Sequence, residues 1–343
     1  MNRISSLFIC CCLMIICIAD ARAVSAPWPA EVSIPSTRRI QFTSSIDHES
    51  YTLFIRTPLT PPPPEGYPVI YVLDGDLLFG MASDISMNVA RSPVVVAIGH
   101  GILEDMEVVA KYAMHPAGNT SPIGLADIGG AMSALRFHDF TLPVAAHHRA
   151  PDWTGLTPEN VGGVDNFLKV LENEIKPKVA ASIKINSANQ ALFGHSIAGL
   201  AVLRALFTEP SAFRTFIAAS PSIWWDADAV LKDEKKFSEL VKSNKATPRV
   251  LITVGADEPD SPNPPESFIA TLPPDRAKEL NAYVKMASEW SGMVAGAKNL
   301  ADRLDQLHGD ASYKIQFTTF DNESHGSVIP AALSRGMRFA FDQ

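Results

Sequence analysis

The sequence predicts an α/β fold, with a mostly parallel sheet covered by helices on both faces. Three observations carry that prediction. Short, continuous apolar runs such as YPVIYVL and PRVLITVG recur along the chain, as strands buried on both faces require. Segments with helical spacing separate those runs. The chain has 343 residues, 46% hydrophobic and 19% charged, which is globular composition and enough for one large domain.

The elements follow in order. Residues 1–23 read as a secretory signal peptide: Arg3, the apolar run Leu7–Ala19, then an Ala21-Arg22-Ala23 cleavage site. An uncleaved membrane anchor is the alternative, but the run is short for a span. The remaining 24–343 reads as a single domain. RRIQFTSS and ESYTLFIRTP alternate like a hairpin pair, and the proline-rich PLTPPPPEGYP that follows is a surface connection. YPVIYVLDGD is a buried strand, 77–91 a helix, and SPVVVAIGHG another buried strand. Residues 101–163, rich in Gly, Pro and His, read as irregular and as a candidate lid. An amphipathic helix covers 164–183, with a break expected at Pro177.

QALFGHS is then a strand and IAGLAVLRALFTE a helix. Strands at 212–220 and 248–258, and one running into a loop over 313–327, alternate with helices at 226–244, 276–307 and 328–341. All four cysteines, Cys10, Cys11, Cys12 and Cys17, fall in the leader, so the exported chain has no disulfide, no cysteine nucleophile and no thiolate metal site. Net charge is −8. Loss of the leader removes two of 29 basic and one of 37 acidic residues, leaving 27 against 36, or −9. That balance argues against nucleic acid as a partner.

The chemistry centres on Gly194-His195-Ser196-Ile197-Ala198. Between a strand and a helix this is a nucleophile elbow, with the serine on a strained turn and its hydroxyl above the carboxyl end of the sheet. The alternative is a serine capping an ordinary helix. An elbow serine needs an acid and a histidine later in the chain. Asp257 and Glu258 end the strand LITVG, and His325 lies on the loop after the next long strand. His325 would take the Ser196 proton, and a carboxylate would fix its tautomer. Glu258 is the favoured acid, Asp257 the alternative, and Glu323 and Asp321 weaker ones. The backbone N–H of Ile197 and one from Gly75 or Asp76 would form an oxyanion hole. His147 and His148 read as a solvated loop, and no metal site is expected.

With this elbow, the segments VLDGDLLFG, RFHDFTLP, GGVDNFLKVLENEIKP, SPSIWW, VGADE and ESHGSVIP appear in order. From about residue 40 to the C-terminus the chain resembles the esterase-D-type α/β-hydrolases, in the branch of the enterobactin, salmochelin and bacillibactin esterases. The resemblance implies an α/β-hydrolase fold and a cofactor-free serine esterase, with Ser196, His325 and Glu258 as its triad. It departs at Ala198, where glycine is usual, and at His100, where tyrosine is usual. Its implied substrate is the trilactone of a catecholate siderophore or its ferric complex, met in the periplasm. An esterase or acyltransferase on another ester, or a non-catalytic ligand-binding relative, are the competing readings. Trp224, Trp225, Arg136 and His100 are the expected substrate contacts, with Arg91 and Arg149 behind Arg136. A structural pair with Asp139 is the competing role for Arg136.

Overall fold

The computed structural model describes residues 33–103, 106–112, 125–144, 160–258 and 292–342, with isolated positions between 269 and 278. The leader 1–23, His147, His148 and Arg149 lie outside the described residues. The sheet and its helices belong to one compact unit that begins at Ser36.

Eight strands form one sheet in the order β1-β2-β4-β3-β5-β6-β7-β8. They are β1 Thr37–Thr43, β2 Ser50–Arg56, β3 Tyr67–Val72, β4 Val94–Gly99, β5 Ile185–His195, β6 Thr215–Ala219, β7 Arg249–Gly255 and β8 Lys314–Phe320. β1 pairs antiparallel with β2, and β2 antiparallel with β4. From β4 to β8 every pairing is parallel. β3, β4, β6 and β7 are buried over their whole lengths, and β5 from Gln190 onward, because helices cover both faces.

Side-chain alternation divides these strands between two cores. Val69, Tyr71, Leu192, Phe216, Val250 and Ile252 face one hydrophobic cluster. Ile70, Val72, Phe193, Ile217 and Leu251, each one residue on, face the other. The second cluster is closed by α1 Gly75–Ser86 and the C-terminal helix, α9 Ile329–Phe341. The larger one is closed by α4 Val164–Val170, α5 Lys176–Ser182, α6 Ile197–Thr208, α7 Glu234–Lys242 and α8 Met293–Asp305.

Two expectations need correction. The helix over 164–183 does not break at Pro177. A π-helical turn, Leu171–Ile175, joins α4 to α5 and leaves room for the proline in the first turn of α5. Nor is 101–163 irregular throughout. It contains α2 Met106–Tyr112 and α3 Leu125–Phe140, and Val109, Ala131 and Leu135 form a small core with Ile102. Among the described residues no helix is long and apolar enough to cross a membrane.

Backbones approach very closely where β5 turns into α6. A Cβ on Gly194 would lie 2.3 Å from the Ala198 carbonyl oxygen, and one on Gly199 would lie 3.0 Å from the Ala219 oxygen. Both obstacles are backbone, so neither can move aside. The Ala198 methyl, by contrast, is fully buried within the larger cluster. Gly194→Ala is therefore expected to cost about 4 kcal/mol or to prevent folding. Ala198→Gly should cost only about 1–2 kcal/mol, from helix propensity and one lost methyl. Urea unfolding of both variants checks the contrast.

Candidate active site

Ser196 has φ 62° and ψ −121°, a conformation forced by the crossing of β5 and α6. It precedes α6 but makes no side-chain capping bond. Its N–H donates to the Ala219 carbonyl of β6 at 2.9 Å, and its own carbonyl accepts from Leu200 and Ser222. The backbone is therefore fixed on both sides, and the hydroxyl points elsewhere.

That hydroxyl meets His325. Ser196 Oγ lies 2.9 Å from His325 Nε2, and His325 Nδ1 lies 3.1 Å from Glu258 Oε2. With its proton on Nδ1, donated to the carboxylate, the imidazole leaves Nε2 to accept from the hydroxyl. Glu258 is 5% exposed, and its other oxygen accepts from the Gly255 N–H at 2.7 Å and from the Ser220 hydroxyl. Asp257, the alternative acid, points to solvent and contributes only its N–H, to the Glu323 carbonyl at 3.0 Å. Asp321 is also exposed, and Glu323 accepts from Ser327 on its own loop. The loop carrying His325 crosses Gly255 so closely that a Cβ there would lie 2.2 Å from the Glu323 oxygen. This glycine brings the histidine over the acid.

The turn after β3 faces the elbow, because β3 and β5 are paired neighbours and the Leu73 N–H donates to the Phe193 carbonyl at 3.0 Å. Asp74, at φ 60° and ψ 45°, caps α1 through its carbonyl, which takes the N–H groups of Leu77 and Leu78. The N–H groups of Gly75 and Asp76, and that of Ile197 in α6, lie in first helical turns, where no earlier carbonyl of the helix can accept them. Three such donors from two adjoining strand ends can stabilise an oxygen that gains charge near Ser196.

Three of the four expected substrate contacts are engaged by the protein itself. Trp225 is a core residue whose indole N–H donates to the Leu142 carbonyl at 2.9 Å. Arg136 pairs with Asp74, not with Asp139: Nε lies 2.7 Å from one carboxylate oxygen and Nη2 3.1 Å from the other. His100 is held between Asp139 Oδ2 and the Ser50 carbonyl, both at 2.7 Å from its ring nitrogens. Trp224 is half-buried against the core, and its indole nitrogen has no partner among the described residues. Arg91 precedes β4, at the opposite edge of the sheet from Ser196.

Sequence reasoning passed over Ser220 and Ser222, and gave Asp74 a place only in the turn that supplies an oxyanion donor. Ser222 Oγ is 3.5 Å from Ser196 Oγ and is buried. The only available signal was their place after strand ends. His195, expected merely to pack beside the elbow, has its ring 4.6 Å from that of His325. Burial, then His325 and Arg136, hold its imidazole well below the usual 6.5, so it is neutral.

Comparisons with known proteins decide the family. The "Putative esterase" family model matches residues 142–296. The ferri-bacillibactin esterase BesA of Bacillus subtilis is 31% identical, over 90% of each chain. This chain belongs to the siderophore-esterase branch of the esterase-D-type α/β-hydrolases. A siderophore triacetylfusarinine C esterase of Aspergillus fumigatus is 30% identical over 80% of this chain and 82% of its own. The crystal structure of the BES protein from Bacillus cereus aligns with a TM-score of 0.66 and 27% identity, over 91% of this chain and 98% of that one. The esterase is thus a carboxylic ester hydrolase of α/β-hydrolase fold.

In this esterase the His100–Asp139 contact has a consequence for stability. Both ring nitrogens of His100 face acceptors, so the imidazole donates from both and carries its charge. Burial opposes that charge, but Asp139 and the Ser50 carbonyl outweigh it and raise His100 above its ordinary 6.5. Burial likewise opposes ionisation of Asp139, while His100 and His138 hold it below its ordinary 3.8. The raised histidine stabilises fully below 6.5 and less as pH rises through its folded value. The lowered aspartate stabilises fully above 3.8 and less as pH falls through its folded value. The pair should contribute most between pH 3.8 and 6.5. Asp139→Asn is expected to cost about 3–5 kcal/mol in that window and less at pH 9, as measured by denaturant unfolding across pH.

Proposed function

We propose that the protein is an exported serine esterase that cleaves the ester bonds of catecholate siderophores or their ferric complexes. What carries the serine mechanism is the unbroken chain from Ser196 Oγ through His325 to Glu258. His325 Nε2 takes the hydroxyl proton as Oγ attacks the ester carbonyl. Glu258 holds the Nδ1 proton and balances the imidazolium. The carbonyl oxygen becomes an oxyanion beside the N–H groups of Ile197 and of Gly75 or Asp76. Collapse expels the alcohol, protonated by His325, and leaves an acyl group on Ser196. Water then attacks the acyl carbon as His325 takes its proton; the acyl–Oγ bond breaks, the acid leaves, and His325 returns the proton to Ser196 Oγ.

Two things support the substrate class. The relatives named above are a ferri-bacillibactin esterase and a siderophore triacetylfusarinine C esterase. The leader, with its apolar run and Ala21-Arg22-Ala23, supports delivery to the periplasm, where ferric siderophores arrive. The same hydrogen-bond chain serves any ester that fits, so the substrate must be tested directly.

Ferric and iron-free enterobactin, incubated with the purified protein, should both be examined for linear products by mass spectrometry. Products that require Ser196 are expected. Their absence from both reactions, with a fluorophosphonate still labelling Ser196, would move the enzyme to another ester. Ser196→Ala should lower kcat by more than about 10³-fold, and Glu258→Gln by about 10²–10⁴-fold. Asp257→Asn should stay within about twofold of wild type. A Glu258→Gln variant of normal rate would leave a Ser–His dyad.

A further inference from the structure

We propose that Arg136 is a positioning residue of the oxyanion hole and does not meet the substrate's charge. The proposal rests on Ser196 being the nucleophile. The hole is assembled from two separate pieces of chain: the turn after β3, which supplies Gly75 and Asp76, and the elbow after β5, which supplies Ile197. Arg136, on α3, reaches both. Its guanidinium forms the two-bond pair with Asp74, the residue just before Gly75. Nη2 also donates, at 3.4 Å, to the carbonyl of His195, the residue just before Ser196. One planar group thus ties together the residues that immediately precede the two donor segments.

The surroundings fit a brace better than a ligand contact. Asp74 is only 7% exposed in its side chain and neutralises the guanidinium, leaving little net charge to attract an anion. The space lined by Arg136, His100, Asp76 and Asp139 is about 30 Å³, room for about two waters. Asp74 needs a fixed partner, because a non-glycine residue at φ 60° holds the turn in a sparsely populated conformation. α3 is itself anchored one turn later, where Asp139 meets His100. The carboxylate of Asp76 completes the frame by accepting the N–H groups of His100 at 2.8 Å and Ile102 at 3.0 Å.

The test separates positioning from charge recognition. Arg136→Lys keeps the charge and loses the two-bond fork; Arg136→Gln loses both. kcat and KM would be measured on neutral p-nitrophenyl butyrate and on anionic ferric enterobactin. Labelling by a neutral fluorophosphonate would be timed alongside. In that reaction the Ser196 O–P bond forms as the P–F bond breaks; fluoride leaves and His325 takes the hydroxyl proton.

Both variants are expected to lose about 10- to 100-fold in kcat on both esters and in labelling rate, with KM for the neutral ester unchanged. Lysine should not rescue. Asp74→Asn, which keeps the turn's shape and changes no arginine, should show the same pattern if an Arg136 variant fails to fold. The proposal is overturned if the loss is confined to the anionic ester, if lysine restores its turnover, or if Asp74→Asn reacts normally with the neutral probe. A wild type that the probe does not label at Ser196 would instead overturn the nucleophile assignment on which the proposal rests.

Discussion

Most of the site hangs on one steric constraint, the contact of β5 with the first turn of α6. The Gly194 backbone passes so near the Ala198 carbonyl that there is no space for a Cβ. The chain can make that crossing only by turning sharply at Ser196, which is why a serine sits at φ 62°. The strain persists because the ends of the turn are pinned: Ser196 N–H to β6, and the Ser196 carbonyl to Leu200 and Ser222. A hydroxyl held this way has lost its rotational choice before any substrate arrives, which is the entropic advantage of a preorganised nucleophile.

The same economy governs the carboxylates around the carboxyl ends of the strands. Glu258, Asp74, Asp76 and Asp139 are each spent on the protein's own donors: the Gly255 and Ser220 groups with His325, the Arg136 guanidinium, two backbone N–H groups, and two imidazoles. A buried carboxylate is tolerated only when its lone pairs are satisfied. Each therefore fixes a segment: the His325 loop, the turn after β3, the end of β4 or the end of α3. What remains for a developing negative charge is backbone N–H, which carries no counter-charge to be desolvated and needs no reorganisation.

Some positions had two meanings that local pattern could not separate. Arg136 stands in RFHDF beside Asp139, and the nearest acid in sequence is the natural partner to assign. The structure gives it Asp74, far away in sequence, because α3 packs across the turn after β3. Trp224 and Trp225 are adjacent and follow a strand end, yet one is buried to its N–H and the other only half-buried. His100 replaces an expected tyrosine, and its two short contacts make it an internal ion. The helices of 101–163 were missed because Gly129, Gly130 and several polar residues blur their periodicity, so packing against Ile102 and α6 outweighs weak local preference.

The amino-acid sequence determined what period and spacing can encode. Continuous apolar runs separated by helical segments specify a parallel sheet covered on both sides, and the order Ser196, Glu258, His325 at strand ends puts all three at one edge of it. Glycines at 194, 199 and 255 mark where backbones must touch, since nothing larger fits. Only the tertiary structure decided which carboxylate turns inward. Asp257 and Glu258 are neighbours with the same chemistry, and the difference lies in the Gly255 N–H, the Ser220 hydroxyl and the His325 ring, which converge on one of them from three separate segments. Partner choice of that kind depends on which distant groups arrive with unsatisfied hydrogen bonds, and no local stretch of chain contains that information.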